Sequence, residues 1–218
     1  MAASPKPNRP IVETIPVGSL RCNAYIIGCP RTGRGLIIDP GDEAERILER
    51  VRALGLTIDA LVHTHTHFDH IGASRALAEN LGAPVVIHTD EARLYAMMPR
   101  QRQMFALAPG EPPPPADRLL EDGEEVRAGD ICLRVIHTPG HTLGSICLEM
   151  DGRLFSGDTL FQGSVGRTDL GGTSLQELVG VIKDRLYLLD DGTEVLPGHG
   201  EATSMGIEKR LNPYLTGG

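Results

Sequence analysis

Short apolar runs, each stopped by Gly, Pro, Asp or His, recur from residue 11 onward along this 218-residue chain. Runs rich in Val, Ile and Leu predict strands at 11–17, 22–28, 35–39, 58–63, 84–88, 131–137, 145–150, 153–156 and 193–196. Helical spacing of apolar positions predicts helices at 43–54, 72–81, 90–97, 174–189 and 204–211. In 174–189 the apolar residues at 175, 178, 179, 182, 186 and 189 mark one buried face. Strands alternating with helices, followed by consecutive strands, imply α/β layering with mixed sheets rather than a bundle or an all-β sandwich. No internal repeat of fixed long period is visible.

Residues 98–116 break the pattern, holding six of the sixteen prolines and no periodicity. The segment reads as a solvated connector, polyproline-like through Pro112–Pro115. The other reading is a lid or an oligomer contact, because Met97, Met98, Met104 and Phe105 would be unfavourable in water.

Composition narrows the function classes. Hydrophobic residues at 40% and charged residues at 23% exclude a disordered chain or a coiled coil. An aromatic share of 4%, with no Trp, requires an aliphatic core. The net charge of −8, without a Lys/Arg run, argues against nucleic acid or an anionic membrane as partner. No apolar stretch has the length of a membrane span. Residues 1–10 have no apolar stretch of the kind a secretory signal needs and read as a flexible arm, leaving 11–218 as one domain. Cys22, Cys29, Cys132 and Cys147 form no CxxC pair and read as buried free thiols of a reducing, cytoplasmic protein. Cys22 and Cys29 could face each other across a hairpin, but nothing demands a bridge.

Histidine changes the picture. None of the eight occurs before residue 63, and four fall at His63, His65, His67 and His70. Four predicted strands each end just before a potential metal ligand: 58–63 before THTHFDH, 131–137 before TPGHT, 153–156 before GDT, and 193–196 before PGHG. Rigid strands with ligands in the short loops at their ends are how a fold presents a metal site. In an extended stretch His65 and His67 point to one side and can grip one ion. Asp69 and His70, at the turn into helix 72–81, can face a neighbouring ion. His141 and His199 each follow a Pro-Gly pair, read as a rigid type II bend with positive φ at the glycine. Asp158 is the carboxylate available to bridge two cations. His63 reads as a core residue, and His88 and His137 as strand ends; none of the three is taken as a ligand.

Together THTHFDH (Thr64–His70), TPGHT (Thr138–Thr142), Gly157-Asp158 and PGHG (Pro197–Gly200) resemble the metallo-beta-lactamase-fold hydrolases. The resemblance implies a four-layer αββα sandwich of two mixed sheets flanked by helices. It implies that His65, His67 and His141 bind a first metal, Asp69, His70 and His199 a second, and that Asp158 bridges them. FQGSVGRTD (Phe161–Asp169) and EKRLNPY (Glu208–Tyr214) look like the short glyoxalase II-related members, which hydrolyse S-hydroxyacylglutathione thioesters. The C-terminal helical domain of glyoxalase II has no counterpart in this sequence. GRTD also resembles the one-iron persulfide dioxygenases acting on glutathione persulfide, whose ligands would map to His65, His141 and Asp158. Those enzymes carry Cys where this chain has Val165, which favours the hydrolase.

The expected function is therefore hydrolysis of a glutathione thioester by a hydroxide on two divalent metals, zinc first, with iron or manganese as alternatives. Two cations about 3.5–4 Å apart lower the pKa of a shared water from about 15.7 toward 7. Asp69 would orient that hydroxide, and Arg167 would contact the glutathione unless it pairs with Asp169. The partners expected are a small thiol-derived substrate and a second copy of the chain, without nucleic acid or membrane. A closed structural zinc site needs only four ligands, so seven candidates argue against a non-catalytic binding protein. If Asp158 bridges, Asp158→Ala should lose most of about two metals per chain, a larger loss than His199→Ala causes. Metal analysis of the purified variants checks this, and an unchanged content removes the bridging role.

Overall fold

Strand β1 (Ile11–Val17) turns back antiparallel onto β2 (Cys22–Gly28), every residue of which is buried. A strand buried on both faces must be covered on both, and the rest of the chain supplies the covers. This structure, a computed structural model, describes residues 9–170 and 172–217. The arm expected over residues 1–10 lies outside the described residues except for Arg9 and Pro10.

The first sheet continues through β3 (Arg34–Ile38), β4 (Thr57–Val62), β5 (Val85–His88) and β6 (Arg118–Leu120), in sequence order and parallel from β3 onward. The second comprises β7 (Glu125–Ala128), β8 (Ile131–His137), β9 (Ile146–Met150), β10 (Arg153–Gly157), β13 (Glu194–Pro197) and β14 (Thr203–Ser204), in the order 14-13-10-9-8-7. Strands β11 (Leu160–Phe161) and β12 (Ser164–Val165) form a separate hairpin. Both sheets are mixed.

Alternation along each strand divides the side chains among three cores. Ala24, Ile26 and Ile37 face α1 (Ala44–Leu54), α2 (Phe68–Ile71) and α3 (Ser74–Leu81) through Ile47, Leu48, Ile71 and Leu77. Their neighbours Tyr25, Ile27, Leu36 and Ile38 face the second sheet, meeting Leu133, Val135, Leu148 and Phe155. On the far side, Ile136, Cys147, Leu154 and Val195 pack on Leu178, Ile182, Leu186 and Met205. The result is helix, sheet, sheet, helix, as the resemblance implies.

Three expectations need correction. The helix predicted at 72–81 begins at Phe68, breaks at Gly72 and resumes at Ser74, so Asp69 and His70 lie inside the one-turn helix α2. Segment 98–116 is not a connector throughout: α5 (Met98–Met104) follows α4 (Ala92–Ala96), with Met98 and Gln101 buried. Met104 is 77% exposed, but the Phe105 ring lies 5.1 Å from that of Phe68. The helix at 174–189 starts with a Ser174–Glu177 capping box, forms α6 (Leu175–Val181), then widens to a π-turn over Ile182–Leu186. The buried face 178, 182, 186 is kept through the change. The strands at 118–120, 125–128, 160–161, 164–165 and 203–204 are too short for a period to show.

All four cysteines are free thiols. No helix among the described residues is long and apolar enough to cross a membrane. Phe155, fully buried between the sheets, meets Tyr25 edge-on at 5.1 Å. Phe155→Ala should therefore lower the unfolding free energy by about 3–5 kcal/mol, measured by urea titration. A loss below about 1 kcal/mol would mean that the inter-sheet layer collapses around the gap.

Candidate metal centre

Four strand ends converge on one rim of the two-sheet core. β4 leads into Thr64–His67, β8 into the turn that ends at His141, β10 into Asp158 and β13 into His199. Helix α2 adds Asp69 and His70. The structure thus brings together all seven residues expected to bind metal.

They form two facing groups. In one, Nδ1 of His67 lies 3.1 Å from Nε2 of His65 and 2.9 Å from Nε2 of His141. In the other, Nε2 of His70 lies 3.2 Å from Nε2 of His199, which is itself 3.2 Å from Oδ2 of Asp69. Asp158 stands between them: Oδ2 is 3.5 Å from Nε2 of His141, and Oδ1 is 3.5 Å from Nε2 of His70.

The outward nitrogens are held by acceptors that fix ring and tautomer. His70 donates from Nδ1 to Asp39 Oδ2 at 3.0 Å, His141 to the Arg167 carbonyl at 2.7 Å, and His199 to the Leu20 carbonyl at 3.0 Å. Their inward Nε2 atoms therefore carry lone pairs. The lone pairs of His70 and His199, 3.2 Å apart, repel unless a cation or proton lies between them, and Oδ1 of Asp158 is buried with no hydrogen-bond partner among the described residues. Divalent cations fit both observations. A donor set of imidazole and carboxylate without thiolate suits zinc, iron or manganese.

The two groups differ electrostatically. Burial and the charge of neighbouring histidines hold His65 well below its usual value, and His67 down to about 3. Burial also opposes charge on His70, yet Cys22, Asp158, Asp69 and Asp39 together raise it well above its usual value. His199 follows, raised by Asp69 and Asp158 against burial. Partial burial works against the Asp69 anion, but His70 and His199 keep it ionised. The group holding Asp69 therefore favours positive charge, whereas His65 and His67 disfavour it.

Supporting residues that sequence reasoning missed are Asp39, Glu91 and Gln101. Asp39 accepts from the Thr64 N–H at 2.7 Å and hydroxyl at 2.6 Å besides His70, and sits at φ +49°. That conformation opposes folding by about 1–3 kcal/mol for a non-glycine residue. A signal existed: strand 35–38 ends in Asp39-Pro40-Gly41, the strand-end acid pattern recognised at Asp158. Glu91, 1% exposed, accepts from the Thr66 N–H and hydroxyl and from the Gly144 N–H, tying two ligand loops together. Gln101 accepts from the Phe68 N–H and donates to the Thr66 carbonyl. Neither carries a sequence signal, because each works across 25 or more residues.

Gly140 and Gly198 are absent from the positive-φ glycines, so the expected type II bends do not form. Glycine is required there for room. A Cβ on Gly198 would lie 2.4 Å from Oδ1 of Asp158, and one on Gly140 2.4 Å from Leu178. Arg167 pairs through two hydrogen bonds with Asp169, and only its carbonyl serves the centre. His63 is buried, bonded to Ser74 and the Val86 carbonyl and pushed down to about 4 by burial. His88 and His137 stack at 4.1 Å, away from the cluster of seven.

The metallo-beta-lactamase superfamily pattern matches residues 17–199. Over 207 residues the chain is 35% identical to hydroxyacylglutathione hydrolase GloC of Haemophilus influenzae, covering 94% of this chain and 97% of that one. The crystal structure of TTHA1623 in a di-iron-bound form is similar at TM-score 0.85 and 38% identity, over 94% of this chain and 100% of that one. The structure of ETHE1 from Myxococcus xanthus is similar at TM-score 0.81 and 32% identity, over 95% of this chain and 85% of that one.

Asp39→Asn keeps an acceptor for Thr64 and a residue tolerant of positive φ, but removes the charge that holds His70. Affinity for the metal at Asp69, His70 and His199 should fall about 10–100-fold, while the group of His65, His67 and His141 stays loaded. Metal titration after dialysis should show one weak and one unchanged site. Two unchanged sites would remove Asp39 from this role.

Proposed function

This chain belongs to the metallo-beta-lactamase superfamily, and from that premise we propose that it is a metal-dependent hydrolase of glutathione thioesters. The observation that carries the reading is the second group, Asp69, His70 and His199, complete and joined to the first through Asp158. Identity with GloC along nearly the whole of both chains supports the substrate class.

In this reading His65, His67 and His141 would hold one cation and Asp69, His70 and His199 the other, with Asp158 standing between the two groups. Two divalent cations, when bound, supply Lewis acidity that lowers the pKa of water toward neutrality and stabilises negative charge on the carbonyl oxygen. Asp69, ionised and only 15% exposed, accepts a hydrogen bond from the attacking water and orients it. Asp39 and the carbonyls of Arg167 and Leu20 keep the three imidazoles from turning as charge develops. The water oxygen bonds to the thioester carbon as the carbon–sulfur bond breaks; the thiolate leaves without a strong general acid, and the proton lost by the water passes to solvent or to that thiolate. The metals are zinc, iron or manganese, the partner a small thioester.

A second reading, the one-iron persulfide dioxygenase, rests on the GRTD resemblance at Gly166–Asp169. It needs His65, His141 and Asp158 but gives His199 no ion to hold. Val165 packs into the core beneath the second sheet and offers no thiol there. The expected outcome is cleavage of S-lactoylglutathione without oxygen uptake, abolished by chelation and restored by metal. His199→Ala should reduce kcat/KM by at least ~100-fold, because one ion is lost from where it stabilises charge. Rapid oxygen uptake with glutathione persulfide at about one iron per chain, without thioester cleavage, would overturn the reading.

A further inference from the structure

Two adjoining cavities lie on the Asp69 side of the centre. The inner one, about 100 Å³, is lined by Asp69, Leu20, Phe68, Leu107, Asp42 and Arg102. The outer one, about 350 Å³, shares Asp42 and Arg102 and extends along Arg75, Met98 and Glu111. Arg102 thus stands where the two meet. Its Nε donates to the Ala108 carbonyl at 2.7 Å, and the structure gives its terminal nitrogens no ion pair and no hydrogen bond among the described residues. Gly110, at φ +71°, leaves room for the guanidinium: a Cβ there would lie 3.1 Å from Nε. The other arginine of the outer cavity is occupied, since Arg75 binds Glu79 and the Pro112 and Pro113 carbonyls. Asp42 faces both cavities, accepts a hydrogen bond from the Glu43 N–H, and forms no ion pair with Arg102.

An anchored guanidinium with free donors, set beside an unpaired carboxylate, presents complementary charges to an amino-acid zwitterion. We propose that Arg102 and Asp42 bind the α-amino-acid end of the substrate's thiol moiety, the carboxylate on Arg102 and the ammonium on Asp42. Leu20, Phe68 and Leu107 line the path from there to Asp69. Substrate recognition is thereby assigned to α5, through Arg102, and to the connection between β3 and α1, through Asp42, rather than to Arg167, which is paired with Asp169. The assignment rests on the thioester reading above and deepens it.

The test measures binding of S-methylglutathione, an uncleavable thioether, to the metal-loaded full chain by calorimetry, with the neutral S-methyl-N-acetylcysteamine as comparison. Arg102→Ala should weaken S-methylglutathione at least ~10-fold relative to the neutral probe, Arg102→Lys should recover part of the loss, and Arg167→Ala should cause less. In turnover, Arg102→Ala should lower the preference for a glutathione thioester over a neutral one through KM rather than kcat. Equal losses for both probes, a loss confined to Arg167→Ala, or no binding of S-methylglutathione by the wild type would each overturn the proposal. Binding that depends on Arg102 in a protein that cleaves no thioester would sink the hydrolase reading alone. Cleavage by the wild type with binding unchanged in Arg102→Ala would sink this proposal alone.

Discussion

The Asp39 carboxylate ties together three parts of the chain that would otherwise move independently. It directly follows β3, accepts two hydrogen bonds from Thr64 at the start of the ligand loop after β4, and accepts a third from Nδ1 of His70 on α2. Asp39 and His70 are almost wholly buried, so neither could stay polar there without the other. Because the acceptor is fixed, the imidazole is fixed, and its Nε2 can point only at the centre. The left-handed backbone of Asp39 follows from the same demand: an ordinary strand residue would carry its side chain into one of the two cores.

The outward nitrogens of His141 and His199 obey a similar constraint, met by backbone carbonyls from distant loops. His141 depends on residue 167 and His199 on residue 20, so the centre is assembled across both sheets. Other contacts hold the sheets together at this rim. Asn23 donates to the carbonyls of Pro197 and Gly200, the Tyr25 hydroxyl to that of Pro197, and the Ile146 N–H to that of Thr64. In the core between the sheets the contact is apolar and non-directional. At the rim it is made of hydrogen bonds, which specify angle as well as distance. That division lets the core supply stability while the rim supplies geometry.

Charge is distributed with the same economy. The group around His67 has no carboxylate of its own except the face of Asp158, whereas the group around His70 lies among Asp39, Asp69 and Asp158. Two cations held side by side would repel, and carboxylate charge concentrated around one of the two groups would offset part of that repulsion. Gly198 belongs to this arrangement, since any side chain there would fill the space beside Asp158 and His70.

The sequence by itself determined the α/β class, nine of the strands, and the seven residues gathered at the centre. Alternation and strand-end placement are local properties, readable over a few neighbouring residues. It also sufficed to show that 98–116 differs from its surroundings, though not that Gln101 within it reaches the ligand loop. Tertiary structure decided the rest. Asp39, Glu91 and Gln101 act across long separations, and a buried acceptor looks like any other acid or amide until its donor is known. The pairing of Arg167 with Asp169 and the open donors of Arg102 likewise depend on which side chains meet in space. The glycines at 140 and 198 make the point most plainly: their need for room comes from Leu178 and Asp158, residues that only folding brings against them. Periodicity is written in the chain, whereas steric exclusion and hydrogen-bond pairing exist only between parts of it.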